Sequence, residues 1–263
     1  MPVRIVTVDA FTSVPFAGNP AAVCVLSEPR PDQWMRNVAR EMNLSETAFL
    51  TPENGGYRLR WMTPAVEVDL CGHATVASAH VLWEEGHLPP GVQARFYTRS
   101  GLLLADQRGE WIELDFPATR AAACEPPAEL VPALGVKAKA VSRNQFDYLV
   151  ELAEEAEVRA ASPNHSALKK LPVRGVIVTA PASTPGFDFV SRFFAPGSGI
   201  DEDPVTGSAH CALGPYWAAR MGKTEFTAYQ ASARGGVVRV RLEGDRVLIG
   251  GQAVTVLRAE MAA

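Results

Sequence analysis

Much of this chain reads as short strands, some alternating between apolar and polar positions with a period of two and others continuously apolar. Ile5, Val6 and Val8 open a first strand, and Tyr57-Arg58-Leu59-Arg60-Trp61-Met62 alternates residue by residue. Further strand patterns fall at 21–26, 48–50, 94–98, 102–106, 111–116, 138–141, 147–152, 175–179, 187–194, 225–230, 237–242, 246–249 and 253–257. Gly101 and Arg108-Gly109 mark turns between them. Helical patterns are fewer. Pro31 opens one that runs to about Met42, with Trp34, Met35, Val38, Ala39 and Met42 as its apolar stripe. Others are expected at 127–134, stopped by Gly135, and at 162–171. Strands that outnumber helices and come in meanders predict an α+β fold, with mixed or antiparallel sheets wrapped around a few helices.

Two alanine-rich helices stand apart because they look like copies. Cys71-Gly72-His73-Ala74-Thr75-Val76-Ala77 and Thr206-Gly207-Ser208-Ala209-His210-Cys211-Ala212 each begin with a glycine. Small or apolar residues then follow at i, i+3, i+4 and i+7: Ala74, Ala77, Ser78, Val81 in one and Ala209, Ala212, Leu213, Tyr216 in the other. Upstream, Arg60-Trp61-Met62-Thr63-Pro64 echoes Arg192-Phe193-Phe194-Ala195-Pro196. The glycines are 135 apart (207 − 72) and the arginines 132 apart (192 − 60), so the second copy carries three extra residues, assigned to the acidic run Asp201-Glu202-Asp203. The pattern predicts an internal duplication: a first half over 1–117, with a C-terminal strand near 252–260 as a possible completion, and a second half over 118–251, with one active site between two helix starts. The Ala- and Pro-rich 117–127 segment is the crossing between them.

Composition narrows the class. The chain has 263 residues, 47% hydrophobic and 21% charged, which supports a packed core. A net charge of −4 without a dense Lys/Arg run argues against nucleic acid or an anionic membrane as partner. No apolar stretch approaches the roughly 20 residues that span a bilayer. The first residues enter a strand with no signal-peptide anatomy, and Cys24, Cys71, Cys124 and Cys211 have no close pair spacing. The expectation is a cytoplasmic protein with free thiols.

The candidate chemistry gathers around the glycine helices. Glu46 lies between a polar turn and Ala48-Phe49-Leu50. It is either an ordinary surface carboxylate or a partly buried acid–base group whose pKa burial would raise. His73 follows the first glycine, where exposed backbone N–H groups disfavour imidazolium, so a neutral proton shuttle and a packed capping imidazole are both open. Asp203 precedes the second helix in what otherwise reads as a solvated acidic loop. Ser208 is the counterpart of His73, either a plain helix cap or a donor to a substrate carboxylate or enolate oxygen. Gly18-Asn19-Pro20 is a tight turn or a pocket rim. No phosphate-binding or nucleophile-elbow motif is complete. Cys71, His73, His210 and Cys211 lack metal-site spacing, so no metal is expected.

The ordered set Gly18-Asn19-Pro20, Asn43-Leu44-Ser45-Glu46-Thr47, Cys71-Gly72-His73-Ala74-Thr75 and Glu202-Asp203-Pro204-Val205-Thr206-Gly207-Ser208-Ala209 resembles the PhzF-like, or phenazine-biosynthesis, isomerase family across nearly the whole chain. The resemblance implies a diaminopimelate-epimerase-like fold with the site between its halves, proton transfer without a cofactor, and a homodimer. It implies catalytic roles for Glu46, His73 and Asp203. Substrate contacts are implied for Asn19, Ser45, Gly72, Gly207 and Ser208, and a role for Cys71 stays open. Related racemases place a thiol before each helix. Here Cys71 takes the first such place, and Asp203 is assigned to the corresponding part of the second. The expected function is a cofactor-independent isomerase or epimerase that moves a proton on a small carboxylate. The alternatives are a non-catalytic binding protein that keeps the pocket and thiol chemistry through Cys71 and His73.

Overall fold

The computed structural model describes residues 3–262 and divides into two compact units. One runs to Asp115 and resumes at Gly250; the other is Phe116–Ile249. The first unit contains β1 (Val3–Ala10), β2 (Asn19–Val25), α1 (Asp32–Met42), β3 (Glu46–Glu53), β4 (Gly56–Met62), β5 (Glu67–Val68), α2 (Gly72–Glu84), β6 (Ala94–Thr98), β7 (Gly101–Arg108) and most of β8 (Trp111–Pro117). The second contains β9 (Ala122–Ala123), α3 (Leu130–Leu134), β10 (Ala140–Arg143), β11 (Asp147–Glu151), α4 (Glu155–Ala160), α5 (His165–Leu168), β12 (Gly175–Pro181), β13 (Phe189–Ala195), β14 (Ile200–Asp203), α6 (Gly207–Met221), β15 (Glu225–Gln230), β16 (Gly236–Glu243) and most of β17 (Arg246–Gly251). The last strand, β18 (Ala253–Met261), returns to pair antiparallel with β1.

The pairing order repeats. In the first unit β1 is antiparallel to β2, β2 parallel to β3, β3 antiparallel to β4, and β4 parallel to β6 and antiparallel to β5. In the second, β10 is antiparallel to β11, β11 parallel to β12, β12 antiparallel to β13, and β13 parallel to β15 and antiparallel to β14. Phe49 sits opposite Arg60 and Cys24; Val178 sits opposite Arg192 and Val150. Counting three residues back from Phe49 and from Val178 makes Glu46 the counterpart of Gly175, and therefore Ser45 the counterpart of Arg174.

A shared ion pair fixes the rest of the correspondence. Arg60 forks onto Glu67 at 2.8 and 2.6 Å, and Arg192 onto Glu202 at 2.7 and 2.8 Å. Glu67 to Gly72 and Glu202 to Gly207 are both five steps (72 − 67 and 207 − 202). The three additional residues therefore precede Glu202, where Pro196–Ser198 forms a 3-10 turn, and not in the acidic run. That run is no solvated loop either: Ile200–Asp203 is strand β14, held to β13. The residue corresponding to Cys71 is then Thr206, not Asp203, and the residue corresponding to His73 is Ser208.

Both glycine helices are buried all round rather than along one stripe. In α2 every residue from His73 to Ala79 is buried, and in α6 every residue from Ala209 to Trp217. A helix apolar on all faces is one enclosed by other elements, which is why the stripe captured only part of the pattern. α1 is the conventional amphipathic case, burying Met35, Val38 and Ala39 and ending at Asn43 in the left-handed region. The helix expected at 162–171 is only the short α5, capped by the Asn164 side chain. α4 carried no expectation; Glu154 and Glu157 form a reciprocal capping box at its start. Among the described residues no helix is long and apolar enough to cross a membrane.

His210, on α6, is fully buried, with Nδ1 2.8 Å from the Thr206 carbonyl oxygen and its ring stacked on Phe189. Burial pushes its pKa down from 6.5 to about 4. The folded state therefore favours neutral imidazole. The stability this confers is complete above pH 6.5 and is lost as pH falls toward about 4. His210→Gln should flatten that acid limb of the stability–pH curve, by a few kcal/mol in all, when chemical unfolding is measured at each pH.

Candidate active site

The first unit builds its constellation from two strand starts and one helix start. Gly18, at φ 64°, closes the turn into β2; a side chain there would meet the Ala10 carbonyl oxygen at 2.2 Å. Asn19 follows as the first residue of β2, fully buried, with Nδ2 3.2 Å from His73 Nδ1. An amide Nδ2 donates, so this contact suits the neutral tautomer with its proton on Nε2. That nitrogen faces Ser45 Oγ at 3.5 Å and Glu46 Oε2 at 3.3 Å.

Cys71 is the extended residue that precedes α2 (φ −146°, ψ 109°), and its carbonyl accepts from the Thr75 hydroxyl at 2.6 Å. Its Sγ lies 3.5 Å from His73 Nδ1. Cys71, His73 and Glu46 are all buried, at 7%, 6% and 8% exposure, so water screens their interactions little. Glu46 is not in a turn: it is the first residue of β3, paired with Ala21 of β2. Burial raises its pKa, against hydrogen bonds from Ser45 and Cys71 that lower it. Its Oε2 receives no hydrogen bond, although His73 Nε2 lies 3.3 Å away. A carboxyl in this setting holds its proton to higher pH than an exposed one and can pass it to a close acceptor.

Glu46, Cys71 and His73 are also the described residues whose ligand atoms come nearest to forming a metal set, all within 4.8 Å of one another. The four-residue set weighed from sequence does not assemble in this way. His210 Nδ1 is directed at the Thr206 carbonyl oxygen, and Cys211 Sγ lies 3.8 Å from that of Gly207.

The second unit builds a different constellation on the same frame. Thr206 is the extended residue before α6 (φ −112°, ψ 97°), and its hydroxyl donates to Asp203 Oδ2 at 2.5 Å. Gln230, fully buried at the end of β15, clamps both residues. Its Nε2 donates to the Asp203 carbonyl oxygen at 2.8 Å and to Thr206 Oγ1 at 3.2 Å, while its Oε1 accepts from Thr206 N at 2.9 Å. Gly207 and Ser208 are the first two residues of α6, and Ser208 Oγ accepts from Arg174 Nη1 at 2.8 Å. Thus Asn19, Ser45, Glu46, Cys71, Gly72 and His73 come together in the first unit, and Asp203, Gly207 and Ser208 in the second. Arg174, Thr206 and Gln230 escaped the sequence reading. Arg174 stands 18 residues before Arg192, whereas Ser45 stands 15 before Arg60, so only strand register reveals the match.

Comparison with known proteins agrees with this architecture. A family model described as phenazine biosynthesis-like protein matches residues 8–259. An uncharacterized isomerase of Halalkalibacterium halodurans is 55% identical over 262 residues, covering 99% of this chain and 99% of its own. A crystal structure of a PhzF-family phenazine biosynthesis protein from Enterococcus faecalis has a TM-score of 0.96 at 42% identity and covers 100% of both chains. A structure described as a predicted epimerase from Pseudomonas aeruginosa, with a TM-score of 0.76 at 21% identity and 99% of both chains covered, shares the fold. The molecule is an isomerase with the diaminopimelate-epimerase-like fold. It belongs to the phenazine biosynthesis-like family.

The raised pKa of Glu46 has a thermodynamic consequence. The folded state favours the protonated carboxyl, so this group's contribution is fully present below the ordinary value of 4.5 and is lost as pH rises through the elevated one. Glu46→Gln, which mimics the neutral form, should therefore raise Tm at neutral pH. The gain should disappear on acidification below pH 4.5, as read by thermal unfolding across pH.

Proposed function

We propose that this isomerase relocates a proton on a small carboxylate-bearing substrate by acid–base catalysis without a cofactor, with Glu46 as the group that takes and returns the proton. The observation that carries the reading is the buried Glu46 carboxyl: its pKa is raised, its Oε2 receives no hydrogen bond, and His73 Nε2 lies 3.3 Å away at the start of α2. In the proposed step Glu46 removes a proton from a substrate carbon. The electron pair left behind delocalises into the adjacent unsaturation or carboxylate, and Glu46 or His73 returns the proton to another carbon or the opposite face. The first outcome is a double-bond shift, the second an epimerisation. His73, at the start of α2, carries an imidazole, which can both give and accept a proton.

Gly207 and Ser208, with first-turn N–H groups and a hydroxyl, suit the substrate carboxylate. Asp203 assists as a second carboxylate, held by Thr206 and Gln230. Participation of these second-unit residues in the same reaction is part of the proposal. So is a homodimer, which a solution mass measurement tests.

A second reading rests on Cys71 Sγ, 3.5 Å from His73 Nδ1: a thiol–imidazole pair in which sulfur handles the proton. Solvent exchange separates the two. A panel of small hydroxy and amino carboxylates incubated in D2O should yield a substrate that gains deuterium with the wild-type enzyme. Glu46→Gln should slow that exchange by about 100-fold or more, while Cys71→Ala should retain it. Equal exchange in wild type and Glu46→Gln would remove Glu46 from the chemistry. Loss of exchange in Cys71→Ala alone would transfer the role to the thiol.

A further inference from the structure

The duplicated frame carries opposite chemistry at one pair of matched positions. Where the first unit has Ser45-Glu46 at the start of β3, the second has Arg174-Gly175 at the start of β12. Ser45 Oγ faces His73 at 3.5 Å; Arg174 Nη1 faces Ser208, the His73 counterpart, at 2.8 Å. An acid in one unit thus corresponds to a cation one residue earlier in the other.

Arg174 is fixed on several sides. Its Nε and Nη2 donate to Asp147 Oδ1 and Oδ2 at 2.9 and 2.5 Å, a two-toothed clamp on a carboxylate that is 1% exposed. The guanidinium also lies over the rings of Phe146 and Phe193, 5.4 Å from each centroid. Gly175 permits this arrangement, because a Cβ there would sit 2.4 Å from Phe193 Cζ. With two of its three nitrogens committed to Asp147, Arg174 turns the third onto Ser208.

We propose that Arg174 is a positioning residue that makes Ser208 a dedicated hydrogen-bond donor to an anionic substrate oxygen at the start of α6. A serine hydroxyl both donates and accepts, whereas a guanidinium only donates. With Arg174 bonded to Oγ, one lone pair is occupied and the hydroxyl proton must point elsewhere. Among the described residues Ser208 Oγ makes no other hydrogen bond. The O–H is therefore available to a ligand, beside the first-turn N–H groups of α6 and backed by a cation. That set selects an anionic oxygen over an amide or an ammonium group. Lysine cannot replace Arg174, because an ammonium has no planar fork that holds Asp147 and Ser208 together. The inference rests on the reading of this enzyme as a carboxylate-binding isomerase.

The experiment uses the full chain with benzoate as an inert carboxylate probe and benzamide as its neutral analogue, both followed by calorimetric titration. Wild type should bind benzoate in preference to benzamide. Arg174→Lys should weaken benzoate about tenfold to a hundredfold, the equivalent of one charge-assisted hydrogen bond, and leave benzamide nearly unchanged. Arg174→Met exposes the chain to a buried, uncompensated Asp147, so the double variant Asp147→Asn with Arg174→Met serves where the single one fails to fold. With a substrate from the exchange panel, both variants should raise KM more than they lower kcat, and added methylguanidinium should partly restore Arg174→Met. Wild-type benzoate affinity and selectivity in the variants, or no preference for benzoate in wild type, would overturn the proposal. If no carboxylate exchanges deuterium yet the variants still lose benzoate, the isomerase reading fails while the role of Arg174 stands.

Discussion

The constraint on which this structure depends is the enclosure of α2 and α6. A helix buried on every face carries its first-turn N–H groups into a setting where water does not satisfy them. Each must find a partner in the surrounding strands or in a ligand. That demand explains the small residues along both helices, which let strands approach closely. Polar side chains also collect at the two starts: Asn19, Ser45 and Glu46 around one, Gln230, Asp203 and Arg174 around the other. Neither helix has a side-chain cap from its own preceding residue. The polar groups at these ends come from elsewhere in the unit.

The same strand-pairing order occurs in both units, and different side chains fill it. The Arg60–Glu67 and Arg192–Glu202 forks hold each short strand, β5 or β14, against its neighbour and so set where the chain enters the helix. Once that entry is fixed, the side chains at matched positions are free to change. Cys71, beside the His73 imidazole, corresponds to Thr206, whose hydroxyl bonds the Asp203 carboxylate. Glu46 corresponds to Gly175, whose missing side chain makes room for Phe193 beneath Arg174. One unit thereby brings Glu46, Cys71 and His73 together. The other gathers Thr206 and Gln230 around Asp203, and Arg174 against Ser208.

How far the sequence could be read follows from the range of each interaction. Strands, α1 and the glycine helices were legible because period, proline and glycine signals are local. The helix at 162–171 was read too long because apolar spacing there continues past the Asn164-capped turn. α4 was missed because glutamate is an uncommon residue before a helix, and its capping box uses Glu154 where serine or threonine is usual. The three additional residues were counted correctly and placed wrongly. Glu202 is the partner of Arg192, and the added turn lies before it.

The sequence by itself determined the α+β class, the repeated glycine helices and the family, since four ordered motifs survive in linear order. It also named Glu46, His73 and Ser208, because each sits in or beside a motif. Tertiary structure alone decided which residues those groups touch. The raised pKa of Glu46 comes from burial among distant elements. The pairing of Ser208 with Arg174 spans 34 positions and depends on the register of β12 beside β11. Local propensity specifies helix and strand within a few residues, but charge, burial and hydrogen-bond direction are properties of the neighbours that folding brings near.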